Sequence, residues 1–339
     1  MTKKAVLLTG GMGYIGSHTA VELLESGYEV VLYDNLSNSD IDVKKKIHEI
    51  TNKKVSFVEG DVLDTRLLIQ TLKDFKVDSV IHFAGLKAVG ESVEKPIDYF
   101  DNNISGSISL LKAMKKAHVK KIVFSSSATV YGEPEYLPYD ENHPTSAINP
   151  YGRSKLHIEE MLKDVCTSDQ DFSAICLRYF NPVGSHESGL IGENPKDIPN
   201  NLMPYIAQVA SRKLKELNIF GDDYPTQDGT GVRDYIHVVD LASGHVSALS
   251  FSEDNPGWHA FNLGTGSGVS VLELVKTFEK VNQIAIPYKV ISRRSGDIAE
   301  CFSNSNKANT LLNFRAKKDI KVMCSSTWKF QIKLRDTST

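Results

Sequence analysis

The sequence contains few of the residues that form metal clusters and disulfide frameworks. Its 339 residues include four scattered cysteines, Cys166, Cys176, Cys301 and Cys324. No two of them form a CxxC pair, so neither a zinc site nor a disulfide framework is predicted, and no metal is expected. No apolar run approaches the roughly 20 residues that a membrane-spanning helix needs.

An excess of charge of one sign is also missing. The chain has 39 Lys and Arg against 42 Asp and Glu, a net charge of −3. This balance gives no general affinity for nucleic acid or for an anionic membrane. The start, MTKKAVLLTGGMG, has only a short apolar run before a glycine loop, unlike an export signal. The totals therefore favour a soluble, cytoplasmic enzyme.

Short apolar runs alternate with helical segments up to about residue 180. The predicted strands are 4–10, 28–34, 55–61, 77–85, 119–127 and 173–181. Because these runs are apolar almost throughout, both faces of their sheet should be covered. The alternation predicts an α/β fold with a doubly wound parallel sheet of the Rossmann type, over residues 1–180. Residues 181–339, with one clear helix at 201–214, are predicted to form a smaller mixed substrate lobe, some segments of which return to the first domain.

A glycine-rich loop joins the first predicted strand to a helix predicted over 17–27. In TGGMGYIGSH, Gly10, Gly13 and Gly16 permit a tight turn and let backbone N–H groups approach a pyrophosphate. A simple strand-to-helix turn is the alternative. Asp34 ends the next strand, where a carboxylate accepts from a ribose 2′-OH and repels a 2′-phosphate, which favours NAD over NADP. Asp61, at a later strand end, either meets the adenine edge or is an N-cap for the turn that follows.

In NPYGRSK, a tyrosine and a lysine stand four residues apart at the head of a predicted helix. Tyr151 and Lys155 therefore share one helix face. An ordinary tyrosine has a pKa of about 10, and a neighbouring ammonium lowers the cost of forming a phenolate that takes a proton from a sugar hydroxyl. The pattern is common by chance. It gains weight here because the serine-rich SSSATVYG (125–132) ends a strand at the same edge of the sheet.

Motifs along almost the whole chain resemble those of one family. They are TGGMGYIGSHT, DNLSNS, HFAGLKAVGES, SSSATVYG, NPYGRSK, LRYFNPVGSH, IPNNLMPY, GTGVRDYIHVVDLA and RRSGD. From about residue 4 to about residue 330 the chain resembles the extended short-chain dehydrogenase/reductases, and among them the UDP-glucose 4-epimerase family. The resemblance implies NAD as cofactor, a UDP-hexose as substrate and a homodimeric assembly.

The resemblance also implies roles around the catalytic centre. Tyr151 would be the base, Lys155 would hold the nicotinamide ribose and lower the tyrosine pKa, and Ser127 would bond the sugar 4-hydroxyl. The residues it implies for NAD are Gly10, Gly13, Tyr14, Ile15, Gly16, Asp34, Asn35, Leu36, Ser37, Asn38, Asp61, Val62, Phe83, Lys87, Lys155 and Tyr179.

The remaining motifs suit a UDP group. Arg233 and Arg294 offer rigid forks for phosphate oxygens. Asn218 and Phe220 are expected to bracket the uracil, and Asp297 to hold a ribose hydroxyl. Taken singly and without the resemblance, each of these positions is better explained by a capping asparagine or a surface arginine. The residues implied for the substrate are Ser127, Ala128, Thr129, Tyr151, Tyr179, Phe180, Asn181, Asn200, Asn201, Leu202, Asn218, Ile219, Phe220, Arg233, Arg294, Gly296, Asp297 and Cys301.

The implied reaction interconverts UDP-galactose and UDP-glucose by inversion at C4, through a transient 4-keto sugar and enzyme-bound NADH. The sequence opposes two alternative functions. A nucleotide-sugar 4,6-dehydratase or decarboxylase is opposed by Ala128 and Thr129, which stand where dehydratases carry an acidic pair. A catalytically inactive NAD-binding sensor or scaffold is opposed by the presence of Tyr151 and Lys155.

Cys301 bears on which sugars fit. In the family, the matching position borders the sugar pocket, and some members carry a tyrosine there. A cysteine leaves room for an N-acetyl group at C2, so activity on UDP-N-acetylglucosamine and UDP-N-acetylgalactosamine is a further expectation. The alternative is that Cys301 is only a small buried residue.

Overall fold

Strands and helices alternate along the first half of the chain. The computed structural model describes residues 4–196, 199–294 and 297–336. The strands are β1 (Ala5–Thr9), β2 (Glu29–Asp34), β3 (Ser56–Glu59), β4 (Val77–His82), β5 (Lys121–Ser127), β6 (Ser173–Tyr179), β7 (Asn181–Val183), β8 (Leu217–Phe220), β9 (Val232–His237), β10 (Gly257–Leu263), β11 (Gly268–Ser270), β12 (Tyr288–Ile291) and β13 (Glu300–Cys301).

Helices connect most of these strands. They are α1 (Tyr14–Glu25), α2 (Asp42–Thr51), α3 (Thr65–Asp74), α4 (Val89–Glu94), α5 (Pro96–Phe100), α6 (Gly106–Ala117), α7 (Pro150–Ser168), α8 (Leu202–Ala210), α9 (Val238–Asp254), α10 (Val271–Asn282), α11 (Asn306–Leu311) and α12 (Ile320–Asp336). A short π-helix (Asp101–Ser105) precedes α6, and a 3₁₀ turn (Ala128–Val130) follows β5.

The central sheet has seven strands in the order β3-β2-β1-β4-β5-β6-β10, and every neighbouring pair is parallel. The predicted doubly wound parallel sheet is confirmed. Its strand order reverses direction beside β1, between β2 and β4. In such sheets, ligands bind at the carboxyl ends of the strands near that point.

Two apolar layers cover the faces of this sheet. In β1, Val6 and Leu8 point into one layer and Leu7 into the other, as the period of two requires. The first layer includes residues of α1, α2 and α9, and the second includes residues of α3, α6 and α7. Burial on both faces explains why the strands are apolar runs without alternation.

The second lobe has its own core. Ile206 of α8, Ile219 of β8 and Phe278 of α10 pack there with Met323 of α12. Strand β9 joins the small sheets of this lobe: its first residues pair with β11 and β13, and its last residues pair with β7.

Most predicted elements have slightly different bounds in the structure, and two of the differences affect the site. Helix α1 begins at Tyr14, three residues before the predicted start, because Gly13 already serves as its N-cap. The predicted strand 173–181 is divided. Strand β6 ends at Tyr179, and Asn181 begins β7, which pairs with β9 outside the main sheet.

The second half of the chain returns to the main sheet. Helix α9 packs against α1, and β10 pairs with β6 in seven register positions from Gly257↔Ser173 to Leu263↔Tyr179. The last strand of the central sheet therefore comes from beyond residue 180.

Four buried histidines predict loss of stability in acid. Burial lowers the pKa of His18, His82 and His237 from 6.5 to about 3. It lowers the pKa of His245 to about 4. Below pH 6.5 the unfolded chain binds protons that the folded chain does not, so stability falls as the pH falls towards these values. We expect urea unfolding at pH 5 to show a loss of about 2 kcal/mol per buried histidine relative to pH 7.5.

A variant pair checks this assignment. His82→Gln should reduce by about one the number of protons taken up on unfolding, which sets the slope of the free energy of unfolding against pH. His48→Gln, at an exposed position of α2, should leave it unchanged. Equal stability at pH 5 and pH 7.5 would contradict the prediction.

Candidate active site

The carboxyl edge of the central sheet gathers the residues that the sequence singles out. Helix α7 starts there because Asn149 Oδ1 accepts a hydrogen bond from Gly152 N at 2.8 Å and Pro150 occupies the first turn. This cap places Tyr151 in the first turn and Lys155 one turn later, both beside the end of β5.

Lys155 is buried within the fold. Its side chain is 4% exposed, and its Nζ donates to the carbonyl oxygen of Ser125 at 2.8 Å. The Nζ atom also lies 4.9 Å from the centre of the Phe124 ring and 5.9 Å from that of Tyr151. Burial lowers the pKa of Lys155 to about 8. The ammonium is therefore held beside the tyrosine but is only weakly favoured over the neutral amine.

Tyr151 does not have the lowered pKa that the sequence suggests. Burial raises its pKa above the ordinary value of 10, while a hydrogen bond with Ser127 and the positive charge of Lys87 oppose that rise. In the protein alone, burial outweighs both. Lys87 is thus a second cation that faces this phenol, besides Lys155.

Lys87 faces the site from the loop after β4. Its Nζ donates to Glu193 Oε1 at 2.9 Å, and Asn201 Nδ2 donates to the same oxygen at 2.7 Å. The charge of Glu193 raises the pKa of Lys87. Glu193 thus links a loop of the main sheet to the start of α8, and no pattern in the sequence singled it out.

Ser127 caps the turn that follows β5. Its Oγ accepts from Thr129 N at 3.2 Å and from Thr129 Oγ1 at 3.0 Å. On the neighbouring strand, Tyr179 Oη is hydrogen-bonded to Ser125 Oγ. Ala128 and Phe180 lie in one small apolar cluster, with Cys301 packed against it. The structure therefore brings Ser127, Thr129 and Tyr179 together at the ends of β5 and β6, and Ala128, Phe180 and Cys301 into one apolar cluster.

The glycine loop forms a close cradle. Gly10 has φ +68°, and a Cβ there would lie 2.7 Å from Ala84 N. A Cβ on Gly16 would lie 2.4 Å from Gly10 O. Gly13 caps α1 without any side-chain bond, so the first-turn N–H groups keep the partial positive charge that favours an anion. Loop and helix terminus therefore fit the pyrophosphate of a dinucleotide.

The carboxylate of Asp34 organises this cradle. Its oxygens accept from Met12 N at 3.0 Å, Leu36 N at 2.9 Å and Ser39 Oγ at 2.8 Å. It thereby ties the glycine loop to the loop after β2, where the predicted NAD residues Asn35, Leu36, Ser37 and Asn38 lie. This geometry suits an acid that closes the ribose end of the site.

Asp61 lies beside that loop. Asn35 Nδ2 donates to Asp61 Oδ2 at 2.8 Å. Asp61 Oδ1 also accepts from Leu63 N at 2.9 Å and so caps the turn after β3, whereas the cap of α3 is Asp64, whose Oδ1 accepts from Leu67 N. Val62, the next predicted residue, points into the core, so only its backbone is left to face a ligand.

The segment from Gly184 to Lys196 ties the second lobe to the cofactor loops. Tyr14 Oη donates to Gly184 O at 2.6 Å. Lys196 Nζ donates to Leu36 O and Ser37 O, both at 3.0 Å. With the Lys87–Glu193 pair, this segment is bonded to three loops that carry predicted NAD residues.

The predicted UDP residues lie in the second lobe. Arg233 Nη1 donates to Val232 O at 2.8 Å, and Cys301 is its register partner on β13. Arg294 lies 4.7 Å from the Phe220 ring centre and donates to Asp297 Oδ2 at 2.9 Å. Asp297 is therefore paired with an arginine of the same predicted site.

Other predicted substrate residues divide between site and core. Asn218 Oδ1 is buried and has no hydrogen-bond partner in the described part of the chain. Buried polar atoms are normally hydrogen-bonded, so this oxygen is suited to accept a bond from a ligand or a water molecule. Ile219, next to it, is 2% exposed and packs in the core, so its side chain is not in the site. Asn200, Asn201 and Leu202 stand at the start of α8, and Asn181 begins β7. Gly296 lies outside the described residues.

Asn103 was also missed from the sequence. It lies in the π-helix and is buried, and its Nδ2 donates to Leu86 O at 3.1 Å and to Ser154 Oγ at 2.9 Å. It therefore joins the loop that carries Lys87 to the catalytic helix. π-Helical turns are frequent at functional sites, but a lone asparagine gives no signal in sequence.

Neither metal nor membrane sites are found among the residues described. Within 4–196, 199–294 and 297–336, no group of three or more His, Cys, Asp or Glu side chains is placed to hold a metal ion. In the same ranges, no helix is both long enough and apolar enough to cross a bilayer.

Comparison with known proteins identifies the family. The NAD dependent epimerase/dehydratase family matches residues 6–264. The chain belongs to this family. The predicted resemblance to UDP-glucose 4-epimerases is also confirmed. The UDP-glucose 4-epimerase of Bacillus subtilis (strain 168) is 56% identical to this chain over 327 residues, which are 96% of each chain.

Solved structures agree. The UDP-glucose-4-epimerase of Stenotrophomonas maltophila, with bound NAD and formylated UDP-arabinopyranose, has a TM-score of 0.97 at 50% identity and covers 98% of this chain and 99% of its own. That of Bifidobacterium longum, in complex with NAD⁺ and UDP, has a TM-score of 0.95 at 52% identity, with 98% and 99% covered. NAD is the cofactor of this family, as the glycine loop and Asp34 predict.

Proposed function

We propose that the chain interconverts UDP-galactose and UDP-glucose by inverting C4 through a transient 4-keto sugar. The observation that carries the proposal is the placement of Tyr151 beside Ser127 and the Lys155 ammonium, at the sheet edge beside a dinucleotide cradle. The near full-length likeness to UDP-glucose 4-epimerases supports it.

Tyr151 is proposed as the base that takes the proton of the sugar 4-hydroxyl. Ionising an ordinary tyrosine at pH 7 costs about 4 kcal/mol. Burial adds to that cost for Tyr151, and the side chain of Ser127 and the charge of Lys87 offset part of the addition. The same hydroxyl returns the proton when the keto sugar is reduced.

Bound NAD would supply the reversible oxidation, as a hydride acceptor and donor. Among the residues of this chain, Lys155 is proposed to hold the nicotinamide ribose, since its buried ammonium lies between Tyr151 and Ser125 O. Asp34 and the glycine loop are proposed to hold the adenosine and pyrophosphate.

The two ends of the substrate are proposed to be held unequally. Arg233 and Arg294 give charged donors for the diphosphate, and the unpaired Asn218 Oδ1 gives an acceptor near Phe220 for the uracil. The sugar end faces Ala128, Phe180 and Cys301, which are small or apolar. A firmly held UDP and a loosely held sugar allow the keto sugar to present either face.

The division of labour follows the two lobes. We infer that residues 1–180, with the returning α9 and β10, bind NAD, and that most of 181–339 binds the UDP-sugar. A 4,6-dehydratase is disfavoured because Ala128 and Thr129 follow Ser127, and Thr129 is engaged in bonding that serine.

Replacing the proposed base tests the reaction. Tyr151→Phe should lower kcat for conversion of UDP-galactose to UDP-glucose by about 10²-fold, because a positioned general base is lost. Bound NAD, measured after denaturation, should remain. Tyr136→Phe, at an exposed tyrosine bonded to Asp140, is the control and should keep wild-type activity. Wild-type kcat in Tyr151→Phe, or net NADH formation by the wild type, would contradict the proposal.

We further infer that N-acetylated UDP-hexoses are substrates. Cys301 packs against the cluster of Ala128, Tyr139 and Phe180 beside Arg233. Its small side chain leaves space on the sugar side of the UDP residues. An N-acetyl group at C2 needs such space while the keto sugar turns.

Changing the size of this side chain tests the inference. Cys301→Tyr should abolish turnover of UDP-N-acetylgalactosamine and spare UDP-galactose, because overfilling a pocket excludes only the larger ligand. Cys301→Ser should keep both activities. A wild-type chain inert towards UDP-N-acetylgalactosamine would refute the inference.

We also infer a homodimer. Val89 and Val93 on α4, Ile97 on α5 and Ile108 on α6 are 43%, 63%, 79% and 36% exposed. Exposed apolar side chains grouped in this way are typical of an interface. Light scattering should give twice the chain mass, and Ile97→Asp should halve it, whereas Leu311→Asp on α11 should not. A monomeric wild type would contradict this.

A cytoplasmic location is inferred as well. All four cysteines, each in the described part of the chain, are free thiols, which fits a reducing compartment. Fractionation of cells that make the chain tests this.

A further inference from the structure

Helix α7 contacts the three serines that end β5 through three side chains, each four residues apart. Tyr151 lies beside Ser127, whose side chain lowers the pKa of the phenol, and Lys155 Nζ donates to Ser125 O at 2.8 Å. Between these two serines, Ser126 Oγ donates to Glu159 Oε1 at 2.5 Å. Residues spaced by four lie on one helix face, so Glu159 continues the catalytic face by one more turn.

Glu159 also binds the neighbouring strand. Arg178 Nε donates to Glu159 Oε1 at 3.0 Å, and Arg178 Nη2 donates to Oε2 at 2.6 Å. Ser126 and Arg178 are register partners on β5 and β6. One carboxylate of α7 is therefore fixed to two adjacent strands, one position before the Ser127↔Tyr179 pair that borders the site.

The pair is buried and every group in it is bonded. Glu159 is 1% exposed and Arg178 is 4% exposed. Arg178 Nη1 donates to Tyr131 Oη at 3.2 Å, and Tyr131 Oη donates to Asn262 Oδ1 of β10 at 2.6 Å. The network thus connects α7 to β5, β6 and β10.

A buried ion pair is a poor device for stability alone. Apolar residues of similar volume are often as stabilising, because they avoid the cost of removing two charges from water. Directional hydrogen bonds, in contrast, define one register of α7 against β5 and β6. A shift of α7 by one residue turns its face by about 100° and moves it by about 1.5 Å, which would break all the bonds of Glu159 at once.

We propose that Glu159, through Ser126 and Arg178, is a positioning residue that holds α7 in the register where Tyr151 meets Ser127 and Lys155 meets Ser125. The role rests on the proposed epimerase function. Glu159 itself touches neither the sugar nor the cofactor in this role.

Removing the pair without leaving a bare charge tests the proposal. In Glu159→Leu/Arg178→Met, we expect a folded protein with wild-type NAD content and a KM for UDP-galactose within about twofold. We expect kcat to fall at least about tenfold, because Tyr151 is no longer held against Ser127.

The pH profile separates positioning from stability. The charged and titratable groups that act on Tyr151 come from the loop after β4 (Lys87), α5 (Tyr99), α7 (Lys155) and β6 (Tyr179). None of these is altered in the variant. The hydrogen bond with Ser127 lowers the pKa of Tyr151, so its loosening should move the acid limb of kcat to higher pH. If the Glu159–Arg178 pair only stabilises the fold, its removal should change the free energy of unfolding but not the pH of the acid limb of kcat.

Two further variants complete the test. Ser126→Ala removes only one bond and should reduce kcat by about threefold, with the limb moving in the same direction. Lys121→Met/Asp78→Leu removes the ion pair between β5 and β4, whose Nζ–Oδ2 distance is 3.0 Å, and should change neither quantity.

The outcomes are distinct. Wild-type kcat and pH profile in both Ser126→Ala and a folded double variant would overturn the positioning role alone. If the double variant does not fold, Ser126→Ala decides. A wild-type chain without epimerase activity would overturn both the proposed function and this role.

Discussion

Strand β5 ends in three serines, and helix α7 sets a tyrosine, a lysine and an acid against them at intervals of one helical turn. This contact buries a lysine ammonium and a carboxylate in the interior, which is costly unless each finds a partner. The partners are the Ser125 carbonyl and the Arg178 guanidinium. Because both bonds are directional, they fix α7 in one position against β5, and this position determines where Tyr151 lies.

The electrostatics of the site are a balance between burial and cations. Burial raises the pKa of Tyr151 and lowers that of Lys155, so it opposes the charged form of both. Lys87 acts in the opposite direction on the tyrosine, but Glu193 offsets part of its charge. Glu193 belongs to the segment that also bonds Tyr14 and Leu36, so the charge that acts on the phenol depends on how the second lobe is seated.

The sequence predicted the parts of the fold that local patterns control. The strands were found because both of their faces are buried, and the start of α7 because an Asn-Pro cap precedes Tyr151. The sequence did not show that the side chains of Ile219 and Val62 point into the core, because neighbours in a motif need not point the same way. Asn103, Glu159 and Glu193 gave no signal. Their roles arise from contacts with residues far away in the chain, as between Glu193 and Lys87.

The return of β10 to the central sheet has a consequence for how the molecule is made. The strand that completes the sheet leaves the ribosome only after the intervening part of the second lobe, from β7 to α9. Until then, β6 has an open edge with unpaired backbone groups, which invites pairing with other chains. A nascent chain stopped before Gly257 is thus an unfinished sheet. Cellular quality control that recognises exposed strand edges can therefore act on the nascent chain between the synthesis of β6 and that of β10.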